Sequence, residues 1–251
     1  MPVGEFIAAL SATSPSPAGG SVAALTVTFA ASLCAMTAGL SARQLPQAEE
    51  LAAEARRLRD QAAPLAQADA EAYGAVLAAT RRAASEPVGV KPAETGPAGA
   101  DPAGAEPAAT GPAGADPAGA EPAGMGLAGG QAGDRPGASD ERRVRVSAAL
   151  ARASEVPLEV ARIGAGVASL ASRLAAAGRP ALRGDAAAAA LLAAAAARTS
   201  AVLVQINAAG QPDSEQPARA DQYASEAERF SRDAVQYARD TDRQARDASS
   251  G

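Results

Sequence analysis

Twenty consecutive residues without a charge, Ser21 to Leu40, constrain this chain more than any other feature. They follow the turn-forming stretch "SPSPAGG" at 14–20. A run of that length can span a bilayer, form the core of a secretion signal, or be the buried helix of a bundle. The first charge is the acidic Glu5 in "MPVGEF", where a secretion signal carries positive charge. Ser21, Thr26, Thr28, Ser32, Thr37 and many alanines make the run only mildly apolar. No Lys/Arg cluster and no Trp/Tyr belt marks its ends. The expectation is therefore a central bundle helix entered through a glycine turn, with no membrane association.

Composition narrows the chemistry. Length, 251 residues, suggests one domain plus accessories. The formal net charge of -5 gives nucleic-acid binding no electrostatic support. Histidine is absent, which removes the commonest general base and a common metal ligand. Cys34 is the only cysteine, so neither an intrachain disulfide nor a thiolate metal cage is expected. No metal and no prosthetic group are expected. A lone cysteine fits a reducing cytoplasm. Acid–base work falls to Asp, Glu, Tyr, Arg, Cys or water.

The chain divides into segments. Residues 1–85 read as the first part of a helical bundle: a short helix from Glu5 to Ala12, the uncharged helix to about Arg43 with Ser21 as N-cap, and a helix from Pro46 to Arg82 kinked or broken at Pro64. Residues 86–138 read as a disordered insertion built on a tandem repeat, "TGPAGADPAGAEPAA" at 95–109 and "TGPAGADPAGAEPAG" at 110–124. The repeat holds almost nothing large and apolar to offset the entropy of ordering. Residues 139–210 read as the second part of the bundle, with a kink at Pro157 and a loop at "GRPALRGD". Residues 211–251 read as a linker and an amphipathic helix. There Tyr223, Ala227, Phe230, Ala234 and Tyr237 form one stripe, expected to pack on the bundle or on a partner subunit. The fold class is all-α, a multi-helix bundle.

One residue breaks the pattern. Leu58, Ala62, Leu65, Asp69, Ala72 and Val76 follow a 4-3-4-3-4 spacing, which sets a carboxylate among apolar neighbours. Burial of a carboxylate is costly unless it is paired, hydrogen-bonded or protonated. Asp69 is then either a structural bond to an Arg or a neighbouring helix, or a carboxyl of raised pKa acting as general acid or base. Glu71 lies about 200° around the helix from Asp69 and is expected in solvent. Gly19 and Gly20 precede a helix N-terminus, suited to an anion or a close-approaching ligand. Arg43 closes the uncharged helix, where the helix dipole favours a cation. Asp185 reads as a helix cap. Asn207, ending "AVLVQIN", bonds a helix end or a ligand.

These pieces occur in an order that resembles the cyclodeaminase/cyclohydrolase family, which includes the C-terminal domain of formiminotransferase-cyclodeaminase. "SPSPAGGSVAAL" at 14–25 is similar to the family's "P-x-P-G-G-G-S-V-A-A". "ADAEAY" at 68–73, "ASEVPLEVA" at 153–161, "GD" at 184–185 and "VLVQIN" at 202–207 resemble its "D-A-D-A-E-A-F", "A-T-E-V-P-L-x-x-A", "S-D" and "N-V-x-I-N". The resemblance covers residues 3 to 209 apart from the insertion. It implies an intimate homodimer that binds a folate as substrate. It implies closure of 5-formimidoyl-tetrahydrofolate to 5,10-methenyl-tetrahydrofolate with release of ammonia, or hydrolysis of the methenyl bridge. It places the proposed catalytic carboxyl on Asp69, with Gly19, Gly20, Ser21, Arg43, Asp185 and Asn207 as substrate-binding residues. Four positions depart from the pattern: Ala18, Gln67, Gly184 and Leu203. These departures define the rival expectation, a non-catalytic helical scaffold that retains the fold.

Overall fold

The computed structural model describes residues 2–13, 18–85 and 138–249. Among the described residues the chain is all-α, with no strand. The expected insertion, up to residue 137, lies outside them. The helices are α1 (Val3–Leu10), α2 (Gly19–Leu40), α3 (Ala48–Ala62), α4 (Leu65–Ser85), α5 (Ala138–Ala153), α6 (Glu155–Ala177), α7 (Arg183–Ala208) and α8 (Gln216–Ser249). A 3-10 turn at Pro180–Leu182 leads into α7.

Alanine sets the packing. Core positions such as Ala24, Ala30, Ala31, Ala190, Ala193 and Ala197 have no exposed surface. Small residues let helix axes approach closely, so bulk must come from a few places. α6 supplies most of it: Val160, Ile163, Val167, Leu170 and Leu174 are all essentially fully buried. α6 contacts α2, α3, α4, α5, α7 and α8. Its closest approach is to α7, where a Cβ on Gly164 would stand 3.1 Å from both the Ala193 carbonyl oxygen and the Ala197 Cβ. α8 is fastened to α7 by Arg198, whose Nε donates to Glu228 at 2.7 Å and whose Nη1 donates to Asp221 at 3.1 Å. The stripe on α8 packs on this core through Tyr223, Ala227, Phe230 and Ala234, while Tyr237 is 42% exposed.

One expected boundary holds and three move. The break at Pro64 separates α3 from α4, as proline geometry requires. The break near Pro157 falls instead at Ser154. Pro157 sits in the first turn of α6, where its missing N–H has no intrahelical acceptor to lose. The second shift is at the N-terminus of α2. Its N-cap is Ala18, and Ser21 lies inside the first turn rather than capping it. Likewise α7 begins at Arg183 after Leu182, so Asp185 is a first-turn residue and makes no side-chain cap.

By length and composition alone, Gly19–Leu40, Asp140–Ala177 and Pro180–Ala208 could each cross a membrane. About half of the relevant window in α2 and α7 is buried within the protein itself.

Candidate functional site

The N-terminus of α2 meets α4 at one carboxylate. A helix start leaves backbone N–H groups without partners, and Ala18 has no side-chain acceptor to offer. Asp69, reaching across from α4, takes that place. Ser21 donates to it through its backbone N–H. The Ser21 hydroxyl lies 3.0 Å from Asp69 Oδ2 and 2.8 Å from the Ala66 carbonyl oxygen. Gly20 makes the approach possible. A Cβ there would stand 2.5 Å from Asp69 Cγ and 2.8 Å from Oδ2, well inside van der Waals contact. The glycine pair thus has a specific use at Gly20. At Gly19 nothing lies within 4 Å of a Cβ, so space does not demand glycine there.

Two effects oppose each other at this carboxyl. Burial penalises the charged form and is the larger, so the pKa of Asp69 is raised above the usual carboxylate value. The Ser21 hydroxyl and backbone N–H bonds favour the charged form and pull it down. No arginine enters the balance, so the expected arginine bond is not the one formed. The partner is the neighbouring helix.

Ser21 can serve both protonation states. One hydroxyl hydrogen is donated to one acceptor at a time. With Asp69 ionised, the hydroxyl donates to Oδ2. With Asp69 protonated, the carboxyl can donate to Ser21 Oγ while Ser21 donates to Ala66 O. A half-buried carboxyl that is hydrogen-bonded either way can lose and regain a proton without orphaning a partner.

The other candidate residues divide between the ends of the bundle. α2 is about 33 Å long at 1.5 Å per residue. The Arg179 backbone N–H donates to Ser41 Oγ at 3.0 Å, so the start of α7 lies at the far end of α2 from Gly20. Arg43 is exposed in the turn after α2, and Asp185 is half-buried in the first turn of α7. Within one chain both stand about a helix length from Asp69. Asn207 is at the other end of α7. Its Nδ2 donates to the Ala153 carbonyl oxygen at 3.4 Å, satisfying the C-terminal end of α5. Of its two expected roles, the helix end is the one seen. Glu71 is exposed and accepts from Gln67 at 3.0 Å.

Two of the cavities that flank α4 are large. A cleft of about 610 Å³ lies between α1, α2 and α4, with Phe6, Leu10, Val22 and Phe29 among its walls. Its α4 wall includes Ala66, Gln67 and Ala70, the neighbours of Asp69. A second cavity of about 1020 Å³ lies between Thr80 of α4, most of the length of α5 and the end of α7, and includes Arg142, Arg143 and Asn207. Neither cavity was legible in the sequence, nor was the Ala66 carbonyl as a partner, because backbone acceptors carry no residue signal. Among the described residues no group of three or more His, Cys, Asp or Glu could hold a metal ion. Cys34 is buried, its pKa pushed up to about 12 by burial, and it is therefore not a ready nucleophile.

A profile of the formiminotransferase-cyclodeaminase family matches residues 2–89 and 131–228. The chain belongs to that family. The two matched blocks contain Gly20, Ser21 and Asp69 in the first and Asp185 and Asn207 in the second. No curated protein matches the sequence significantly. Among solved structures, formiminotetrahydrofolate cyclodeaminase from Thermotoga maritima has a similar fold, with a TM-score of 0.63 at 19% identity, covering 96% of this chain and 95% of that one. At that identity the likeness speaks for the fold.

Proposed function

We propose that this family member is a folate-dependent one-carbon enzyme. Its reaction is the closure of 5-formimidoyl-tetrahydrofolate to the 5,10-methenyl form, and Asp69 is its proton donor. The observation that carries the reading is the Gly20–Ser21–Asp69 contact, a carboxyl of raised pKa held where both protonation states are hydrogen-bonded. In the closure N10 forms a bond to the formimidoyl carbon. The bond from that carbon to the exocyclic nitrogen breaks, and the nitrogen leaves as ammonia. The Asp69 carboxyl gives the leaving nitrogen a proton, and the carboxylate can accept the proton that N10 loses. The proposed seat of the ring system is the apolar cleft between α1, α2 and α4, whose size suits a small ligand.

Hydrolysis of the methenyl bridge uses the same carbon, with Asp69 as base toward water. Supplying both substrates and following ammonia together with the methenyl chromophore separates the two. The expected result is ammonia released in step with chromophore gain. Since the donor must be protonated, kcat/KM for closure is expected to fall as pH rises through the raised pKa of Asp69. A profile rising through that region would point to the base role and to hydrolysis.

A second reading has its own support. Asp69 caps the N-terminus of α2, which is sufficient structural reason for it to be there. A scaffold that keeps the fold would retain this contact and show no turnover of either substrate.

A further inference from the structure

The chain's net charge is -5, yet one side of it is basic. Arg81 and Arg82 close α4, and Arg142, Arg143, Arg145 and Arg152 lie on α5, which packs against it. The acids of α5 are Asp140 and Glu141, and α4 has none after Glu71. Such a region gathers anions. Arg142 and Arg143 line the cavity of about 1020 Å³, where Asp140 is the one acid. Arg142 Nε is buried without a hydrogen-bond partner among the described residues. The guanidinium therefore gains by turning to a carboxylate in the cavity, which accepts from two of its N–H groups at once.

This cavity and Asp69 stand at the same end of the bundle. The start of α7 lies at the far end of α2 from Gly20, so Asn207 and Gln211, at and beyond the end of α7, come back to the Gly20 end. α4 joins the two places. Thr80, in the cavity wall, follows Asp69 by eleven residues, about 16 Å along the axis and only about 20° off whole turns. Tyr73, one turn after Asp69, lies on the same stripe and is 40% exposed. Its ring offers a flat apolar surface between the carboxyl and the arginines.

We propose that the substrate's side arm lies along this stripe. The aminobenzoyl ring that bears N10 rests on Tyr73, and the glutamate carboxylates pair with Arg142 and Arg143. The inference rests on the folate reaction proposed above and adds the residues that hold the far end of the molecule. The lengths agree. From N10 the arm reaches about 10 Å and an arginine side chain about 6 Å by ordinary bond lengths, together matching the rise from Asp69 to Thr80. The pterin stays in the cleft between α1, α2 and α4, whose wall at Ala66 and Ala70 adjoins Asp69 and Tyr73 on α4.

The test compares 5-formimidoyl-tetrahydrofolate with its pteroate form, which lacks the glutamate, in wild type, Arg142→Gln and Tyr73→Ala. Wild type is expected to show a KM at least about tenfold higher for the pteroate form, with kcat little changed. Arg142→Gln is expected to raise KM for the folate by a similar factor and to leave KM for the pteroate form unchanged, because the partner of the lost charge is already absent. Tyr73→Ala is expected to raise KM for both forms, and Tyr73→Phe for neither. Arg57→Gln, which removes the same charge from the exposed side of α3, is expected to change nothing. An Arg142→Gln protein with wild-type KM for the folate, or with equal losses on both forms, would overturn the inference and leave the reaction intact. If wild type turns over neither form, the reaction fails instead, and calorimetric titration with 5-formyl-tetrahydrofolate decides this site alone. Binding weakened at least about tenfold in Arg142→Gln supports it. No binding, or binding indifferent to Arg142, overturns it.

Discussion

Asp69→Asn is expected to lower kcat/KM for ring closure by about 10²–10⁴-fold, the usual contribution of a positioned general acid. The variant keeps the shape of the side chain and an acceptor for the Ser21 backbone N–H, so helix α2 keeps its cap. What it loses is the transferable proton. Stability provides the internal control, and its sign is set by the raised pKa. The native state holds the Asp69 proton more tightly than the unfolded chain does. Its favourable contribution is therefore complete below the ordinary carboxylate range and is lost as pH rises through the native value. Asn has no charge to bury. Near neutral pH the variant should melt no lower than wild type, and its relative advantage should shrink toward pH 4. Thermal melts at both pH values alongside the assay check this. Wild-type turnover in the Asn variant would mean that Asp69 is only the cap.

Leu170→Ala is expected to cost about 2–5 kcal/mol, the range for truncating a well-buried leucine. For a chain of this size that lowers Tm by roughly 5–15 °C. The expectation rests on how unevenly the core's bulk is distributed. Leu170 is 1% exposed on α6, which faces the alanine-lined walls of α2 and α7. Alanines have no rotamers with which to close a cavity, so little relaxation can offset the loss. Differential scanning calorimetry gives the shift directly. A drop under about 2 °C would mean that the helices can collapse onto the space and that α6 is not the main source of core bulk.

Much of the fold could be read from the sequence because helix-forming residues, prolines and apolar spacing agreed with one another. Pro64 broke the long helix where proline must. The uncharged run formed one helix, and the Tyr223–Phe230 stripe packed on the core. Local capping rules failed at Ser21 because tertiary contact replaced local chemistry, and at Asp185 because the 3-10 turn starts α7 two residues earlier. At α2 the cap comes from Asp69, 48 residues beyond Ser21 in the chain. For the same reason the site was only half legible. The spacing that picked out Asp69 indicated a carboxyl in apolar company, but it could not name Gly20 and Ser21 as its cradle. Arg43, Asp185 and Asn207 were grouped with it by resemblance alone. Only the packing of α2 against α7 shows that Arg43 and Asp185 stand a helix length away within one chain.

The most direct measurement is kcat/KM of Gly20→Ala on 5-formimidoyl-tetrahydrofolate, with ammonia release and melting followed in parallel. The three atoms nearest the added methyl all belong to the flexible end of Asp69, so the helices should stay folded while the carboxyl is pushed from its place. The account predicts a loss of at least about 10²-fold with Tm within a few degrees of wild type. Wild-type turnover in a folded Gly20→Ala protein would contradict it, because the chemistry would then not need Asp69 where Gly20 admits it.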